Sequence, residues 1–120
     1  MKYKKGDIVF ASRYNYPDGQ VGNRHLFIVI AVLDDGKLEV LSDEYLSLII
    51  SSKREKGNDV SDYTYNQPLD KNDINNLRDD SIVKCDAIFV IDEKHITKKI
   101  GEVTDDEFNK YIELLERAIK

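Results

Sequence analysis

The stretch "GQVGNRHLFIVIAVL", Gly19 to Leu33, decides the fold. Its last eight residues, Leu26 to Leu33, carry no polar side chain and are rich in β-branched types. A continuous apolar run of that length, without alternation, predicts a strand buried on both faces. Arg24 and His25 stand at its mouth. Successive side chains on an extended strand point to opposite faces, so these two are expected to diverge and not to act together.

Working outward, "DIVFAS" (Asp7–Ser12) predicts a first strand. "RYNYPDGQVGN" (Arg13–Asn23) predicts a loop of about ten residues, because Asn, Pro, Asp and Gly dominate it. Downstream, "DDGK" and "LEVLS" (34–43) predict a hairpin through an Asp-Gly turn, and "LSLIISS" (Leu46–Ser52) a further strand. That strand runs into the polar loop "KREKGND" (53–59). From Asp59 to Ser81 periodicity is lost, apart from a short helix predicted in "LDKNDINNLRDD", with Asp70 as N-cap and Ile74 and Leu77 facing inward. "SIVKCDAIFVI" (Ser81–Ile91) predicts a long strand, and "DEKHITKKIGEV" a turn and a short strand. In "TDDEFNKYIELLERAIK" Thr104 and Glu107 have capping-box spacing, and Phe108, Tyr111, Ile112, Leu115 and Ile119 form one apolar stripe of a closing helix. The expected class is mainly β (α+β): five to seven strands in a small curled sheet or barrel with a C-terminal helix, one domain over residues 1–120.

Composition excludes several classes of function. Charged residues are 34% and hydrophobic ones 41% of the chain, as in ordinary globular proteins. No apolar run approaches the roughly 18 residues needed to span a bilayer. "MKYKKGDIVF" lacks the apolar segment of a signal peptide, and Cys85 is the only cysteine, so a reducing cytoplasm is the expected setting. Net charge is −5, but residues 1–30 hold five basic against two acidic side chains, whereas residues 55–120 hold ten against sixteen. A generic nucleic-acid binder is basic overall. This chain is expected to offer at most a local basic face on an acidic body.

One cysteine and two distant histidines leave no zinc-ligand spacing, and the phosphate-loop, dinucleotide and serine-hydrolase glycine motifs are absent. No metal and no cofactor are expected. The paired carboxylates Asp34-Asp35, Asp79-Asp80 and Asp105-Asp106 fit turns or a helix start. Cys85 lies in an apolar strand and is read as structural. Arg24 differs, because a guanidinium at the edge of a buried strand can lay its stem on the core and aim its fork into the adjoining loop. An ion pair with a nearby Asp is the plain alternative.

"KKGDIVFAS…GNRHLFIVI…LIISSK…DSIVKCDAIFVI…ITKKIGEVTDDEFNKYIELLERAI", from Lys5 to Ile119, resembles the MazF/PemK toxins of bacterial toxin–antitoxin systems. The resemblance implies an SH3-like barrel that forms a homodimer. It also implies a metal-independent, sequence-specific endoribonuclease that cleaves single-stranded RNA through attack by the 2′-hydroxyl. A cognate antitoxin with an acidic tail is the implied partner. Carried over by position, the catalytic arginine is Arg24 and the strand-end hydroxyl is Ser51, with Ser52 the one-residue-shifted alternative. The family's usual proline is His25 here and its usual threonine is serine. Arg24 suits charge stabilisation rather than base catalysis, since its pKa lies far above neutrality. His25 has the right pKa range for the base, but its expected side of the strand is wrong. RNA contacts are expected from Arg13, Tyr14 and Tyr16 in one loop and from Lys53, Arg54 and Lys56 in another. The competing expectation is an interaction protein on the same barrel, either non-catalytic or gyrase-binding like the CcdB-type toxins, which requires neither Arg24 nor Ser51.

Overall fold

The computed structural model describes residues 2–33, 44–52 and 65–119. Six strands and one helix follow in order: β1 (Asp7–Asn15), β2 (Val21–Leu33), β3 (Glu44–Ser52), β4 (Asn66–Leu69), β5 (Ser81–Asp92), β6 (Ile96–Glu102) and α1 (Asp105–Ala118). All pairings are antiparallel, in the order β4-β5-β3-β2-β1-β6. A further pairing, Asn15 with Val90, joins β1 to β5, so β1, β2, β3 and β5 close a ring. Register shifts in the β1–β6, β2–β3 and β3–β5 ladders add the local twist that such curling needs.

β2 is buried on both faces, as its uninterrupted apolar run predicts. Phe27 and Val29 join one cluster with Val9, Tyr45, Phe89 and Ile91. Ile28 joins the other, with Leu48, Ile50 and Val83, and α1 covers that face with Tyr111 and Leu115. The capping box of α1 forms as predicted: Thr104 Oγ1 accepts from Glu107 N at 3.2 Å and Glu107 Oε1 accepts from Thr104 N at 2.9 Å. The stripe stops short of Ile119, which is 63% exposed beyond the last turn. Among the described residues no helix is long and apolar enough to cross a membrane.

Three local expectations are corrected. The loop predicted over Arg13–Asn23 is a hairpin, because the β1–β2 ladder continues through Arg13–Asn23, Tyr14–Gly22 and Asn15–Val21. Its turn closes with Gly19 N and Tyr16 N donating to the carbonyls of Tyr16 and Gln20. Gly22 permits this, since any Cβ there would collide with the Tyr14 ring. The segment 59–81, expected to lack strands, contains β4, a four-residue edge strand. Its Pro68 is tolerated because, among the described residues, the other side of β4 has no strand partner.

The short helix predicted after Asp70 is absent. Residues 70–80 form an irregular loop in which Leu77 is buried but Ile74 is 52% exposed. Side-chain hydrogen bonds replace the helix. Asn72 Oδ1 accepts from the backbone N–H of Ile74 (2.9 Å) and Asn75 (2.8 Å), which competes directly with helical bonding. The hairpin expected at 34–43 and the loop at 53–59 lie outside the described residues.

Asp7 of the opening "GDIV" is structural. It is buried, its Oδ2 accepts from Lys4 N at 3.0 Å, and Lys99 Nζ lies 3.2 Å from Oδ1. The bond to Asp7, ahead of a second to Glu102, holds the Lys99 pKa above its ordinary 10.5. A raised folded pKa means that the lysine's contribution is intact below 10.5 and is lost as alkali deprotonates it.

Candidate active site

One groove gathers the chemistry. Its floor is apolar: Phe10 of β1, Leu26 of β2, Ile50 of β3 and Leu77 of the 70–80 loop. Its polar wall is Arg24, His25, Ser52, Arg78, Asp79 and Ser81.

Arg24 has φ +51°, in the left-handed region that β-carbons disfavour. For a residue other than glycine this conformation costs on the order of 1–2 kcal/mol. The β1–β2 ladder keeps one register on either side of it, from Ala11–His25 to Arg13–Asn23. Both residues border the groove, but the His25 ring lies on the face of β2 that carries Phe27, whereas the groove's Leu26 and Ile50 belong to the other face, so the expected divergence is not overturned. The His25 ring packs edgewise on Tyr14 and at a tilt on Phe27, with centroids 6.0 and 5.9 Å away, and its Nδ1 is 3.1 Å from Leu26 N. Arg24 is exposed, and among the described residues no carboxylate pairs with it.

Alternation does hold along the end of β3 and separates the two serines. Leu48 and Ile50 belong to the cluster under α1, so Ser52 follows them to the groove side. Ser51 follows Ile49 to the opposite face and is 3% exposed. Of the two, the shifted alternative, Ser52, is therefore the one that shares the groove with Arg24.

Other expected residues lie elsewhere. Arg13 lines a second groove with Glu44, Asp92, Lys94 and His95. Tyr14 is 4% exposed, its ring packed among Phe27, Phe89, Tyr16 and His25, so it supports the wall instead of offering a stacking face. Tyr16, 40% exposed, keeps a free surface. Lys53, Arg54 and Lys56 lie outside the described residues.

Sequence reasoning missed Arg78 and Asp79. Both sit in "NLRDDS", just before β5, and reach the groove because Ser81 pairs with Ser52 across the β3–β5 ladder. No local signal marks them, because only the strand order brings them there.

Cys85 is buried, and burial, with a smaller contribution from Asp86, pushes its thiol pKa up to about 12. A buried thiol with almost no thiolate at neutral pH is inert. Alkylation by iodoacetamide at pH 8 is expected to occur only on unfolding, read by mass spectrometry with and without denaturant. Rapid labelling of the folded protein would refute this.

The family follows from the whole chain. The model of the PemK-like, MazF-like toxins of type II toxin–antitoxin systems matches residues 4–119, and the chain belongs to that family. Two solved structures share the fold. One is an endoribonuclease in complex with its cognate antitoxin, from a mycobacterial species: TM-score 0.62, 14% identity, 98% of this chain and 94% of that one. The other is the Mycobacterium tuberculosis toxin MazF-mt6: TM-score 0.61, 16% identity, 94% and 95% of the two chains. No curated protein matches.

Proposed function

We propose that this chain is a toxin endoribonuclease that cuts single-stranded RNA in the Arg24 groove. The observation that carries this is an exposed arginine on a strained backbone, sharing one partly apolar groove with a serine and bordered by a histidine. The 2′-oxygen of the nucleotide attacks the adjacent phosphorus, its proton passes to a base, and the bond to the 5′-oxygen breaks. The products are a 2′,3′-cyclic phosphate and a 5′-hydroxyl end. Negative charge grows on the phosphorane oxygens, where the planar fork of Arg24 and the Ser52 hydroxyl donate. His25, at the edge of the groove, is the imidazole nearest in sequence to Arg24 and is assigned the role of base. No step is assigned to a metal.

The family supports the reading, as does the mycobacterial endoribonuclease of the same fold. It brings with it a cytoplasmic setting, a second copy of the chain as partner, and a cognate antitoxin that covers the groove. A gyrase-binding role draws less support, since α1 turns Tyr111 and Leu115 into the core.

The test is cleavage of mixed-sequence single-stranded RNA by purified protein in EDTA, with end-group analysis of the products. Intact RNA across varied sequences would defeat the proposal. The choice of serine is tested separately. Ser52→Ala is expected to lower kcat by about 10-fold or more at unchanged melting temperature, as for a lost transition-state donor. Ser51→Ala is expected to retain turnover. The reverse pattern would return the role to Ser51.

A further inference from the structure

We infer that Arg78 forms a second phosphate subsite, holding a phosphate of the RNA strand next to the one being cut. The inference rests on the nuclease reading and adds to it how the strand is held. Arg24 and Arg78 come to the groove from different elements, one from β2 and one from the 70–80 loop. Arg78 is exposed, and among the described residues no carboxylate pairs with it. A single-stranded RNA lying in a groove presents successive phosphates, so two exposed cations on one groove can neutralise two of them.

The loop that carries Arg78 is fixed in place. Asn75 is fully buried and bonds at both ends of its amide. Nδ2 donates to Asp70 O at 2.8 Å, and Oδ1 accepts from Asn72 N and Leu77 N, both at 3.0 Å. The loop lies flat on β6, where Glu102 N donates to Ile74 O at 3.2 Å and Asn76 Nδ2 donates to Ile100 O at 3.1 Å. Only glycine allows that approach at position 101, because a Cβ there would collide with the Asn75 carbonyl. Leu77 anchors in the core, and the next residue is Arg78. Its backbone is therefore set before any ligand arrives, and only the side chain has to be ordered on binding, which lowers the entropic cost of using it.

A phosphate contact has a signature that a structural arginine lacks. Each one contributes about 0.7 to the slope of log affinity against log salt for a single strand, irrespective of sequence. The experiment titrates wild type, Arg78→Ala and Arg78→Lys with a fluorescent, mixed-sequence 2′-O-methyl RNA oligonucleotide, which cannot be cut, over a range of salt. Cleavage of unmodified RNA is measured alongside. Arg78→Ala is expected to bind about ten-fold more weakly with the salt slope reduced by about 0.7, and to cut with raised KM and little change in kcat. Arg78→Lys is expected to keep the slope. If wild type cuts RNA while Arg78→Ala matches it in affinity, slope and KM, the subsite is overturned and the nuclease reading stands. If the oligonucleotide binds with an Arg78-dependent slope but no RNA is cut, the subsite stands and the nuclease reading falls. An oligonucleotide that does not bind overturns the subsite.

Discussion

Arg24→Ala is expected to lower RNA cleavage by about 10²–10³-fold or more without loss of stability. The first part follows from charge: the groove's guanidinium meets the oxygens on which negative charge develops, and removing one such donor costs that much in other enzymes. The second follows from burial, since Arg24 is exposed and makes no ion pair among the described residues. Its φ of +51° adds a sharper form of the test. Glycine adopts that conformation freely, so Arg24→Gly is expected to be as inactive as the alanine variant yet more stable than wild type by about 1 kcal/mol. Strained residues cluster at functional sites, so an exposed one in a groove is a candidate for a chemical role. Kinetics on a fluorogenic RNA substrate and thermal unfolding by circular dichroism read the two effects. Cleavage within a few-fold of wild type would remove Arg24 from the mechanism. A glycine variant that melts lower would show that the conformation is not strained.

Asn75→Ala is expected to produce the largest loss of stability of any single polar substitution near the groove, about 3 kcal/mol. Three hydrogen bonds disappear, and the N–H groups of Asn72 and Leu77 and the carbonyl of Asp70 lose their partner around a side chain that is wholly buried. Each such loss is worth about 1 kcal/mol. For a chain of this size the sum corresponds to a fall in melting temperature of roughly 10 °C. The substitution also releases the loop that fixes Arg78, so binding of RNA is expected to weaken as it does for Arg78→Ala, whereas kcat at saturating RNA changes less. A melting temperature within about 3 °C of wild type would mean that the contacts with β6 hold the loop without Asn75.

How far the sequence carries depends on whether the signal is local. The both-faces burial of β2 and the capped helix were legible because each is written in consecutive residues: an uninterrupted apolar run, and a Thr-x-x-Glu pair ahead of a 3.6-residue stripe. The hairpin at Tyr16–Gln20 was obscured because its turn-forming residues also populate the strand ends, and only the β1–β2 ladder shows where pairing stops. The helix expected after Asp70 failed because Asn72 and Asn75 bond to the loop backbone, an outcome that propensity does not weigh.

The site divides the same way. Its arginine was legible as a charged residue at the mouth of a buried strand, and family resemblance named its role. Ser52 in preference to Ser51 was not, because a one-residue difference in position along a strand is a choice of face. That face is decided by which side of β3 meets α1.

The amino-acid sequence by itself determined a mainly β chain with a C-terminal helix and Arg24 at the mouth of a buried strand, since local patterning suffices for those, while the toxin family came from resemblance. Only the tertiary structure decided that Ser52 shares the groove with Arg24, and that Arg78 arrives from fifty-four residues away. The physical reason is that ladder pairing between distant strands places side chains side by side with no trace in either segment alone.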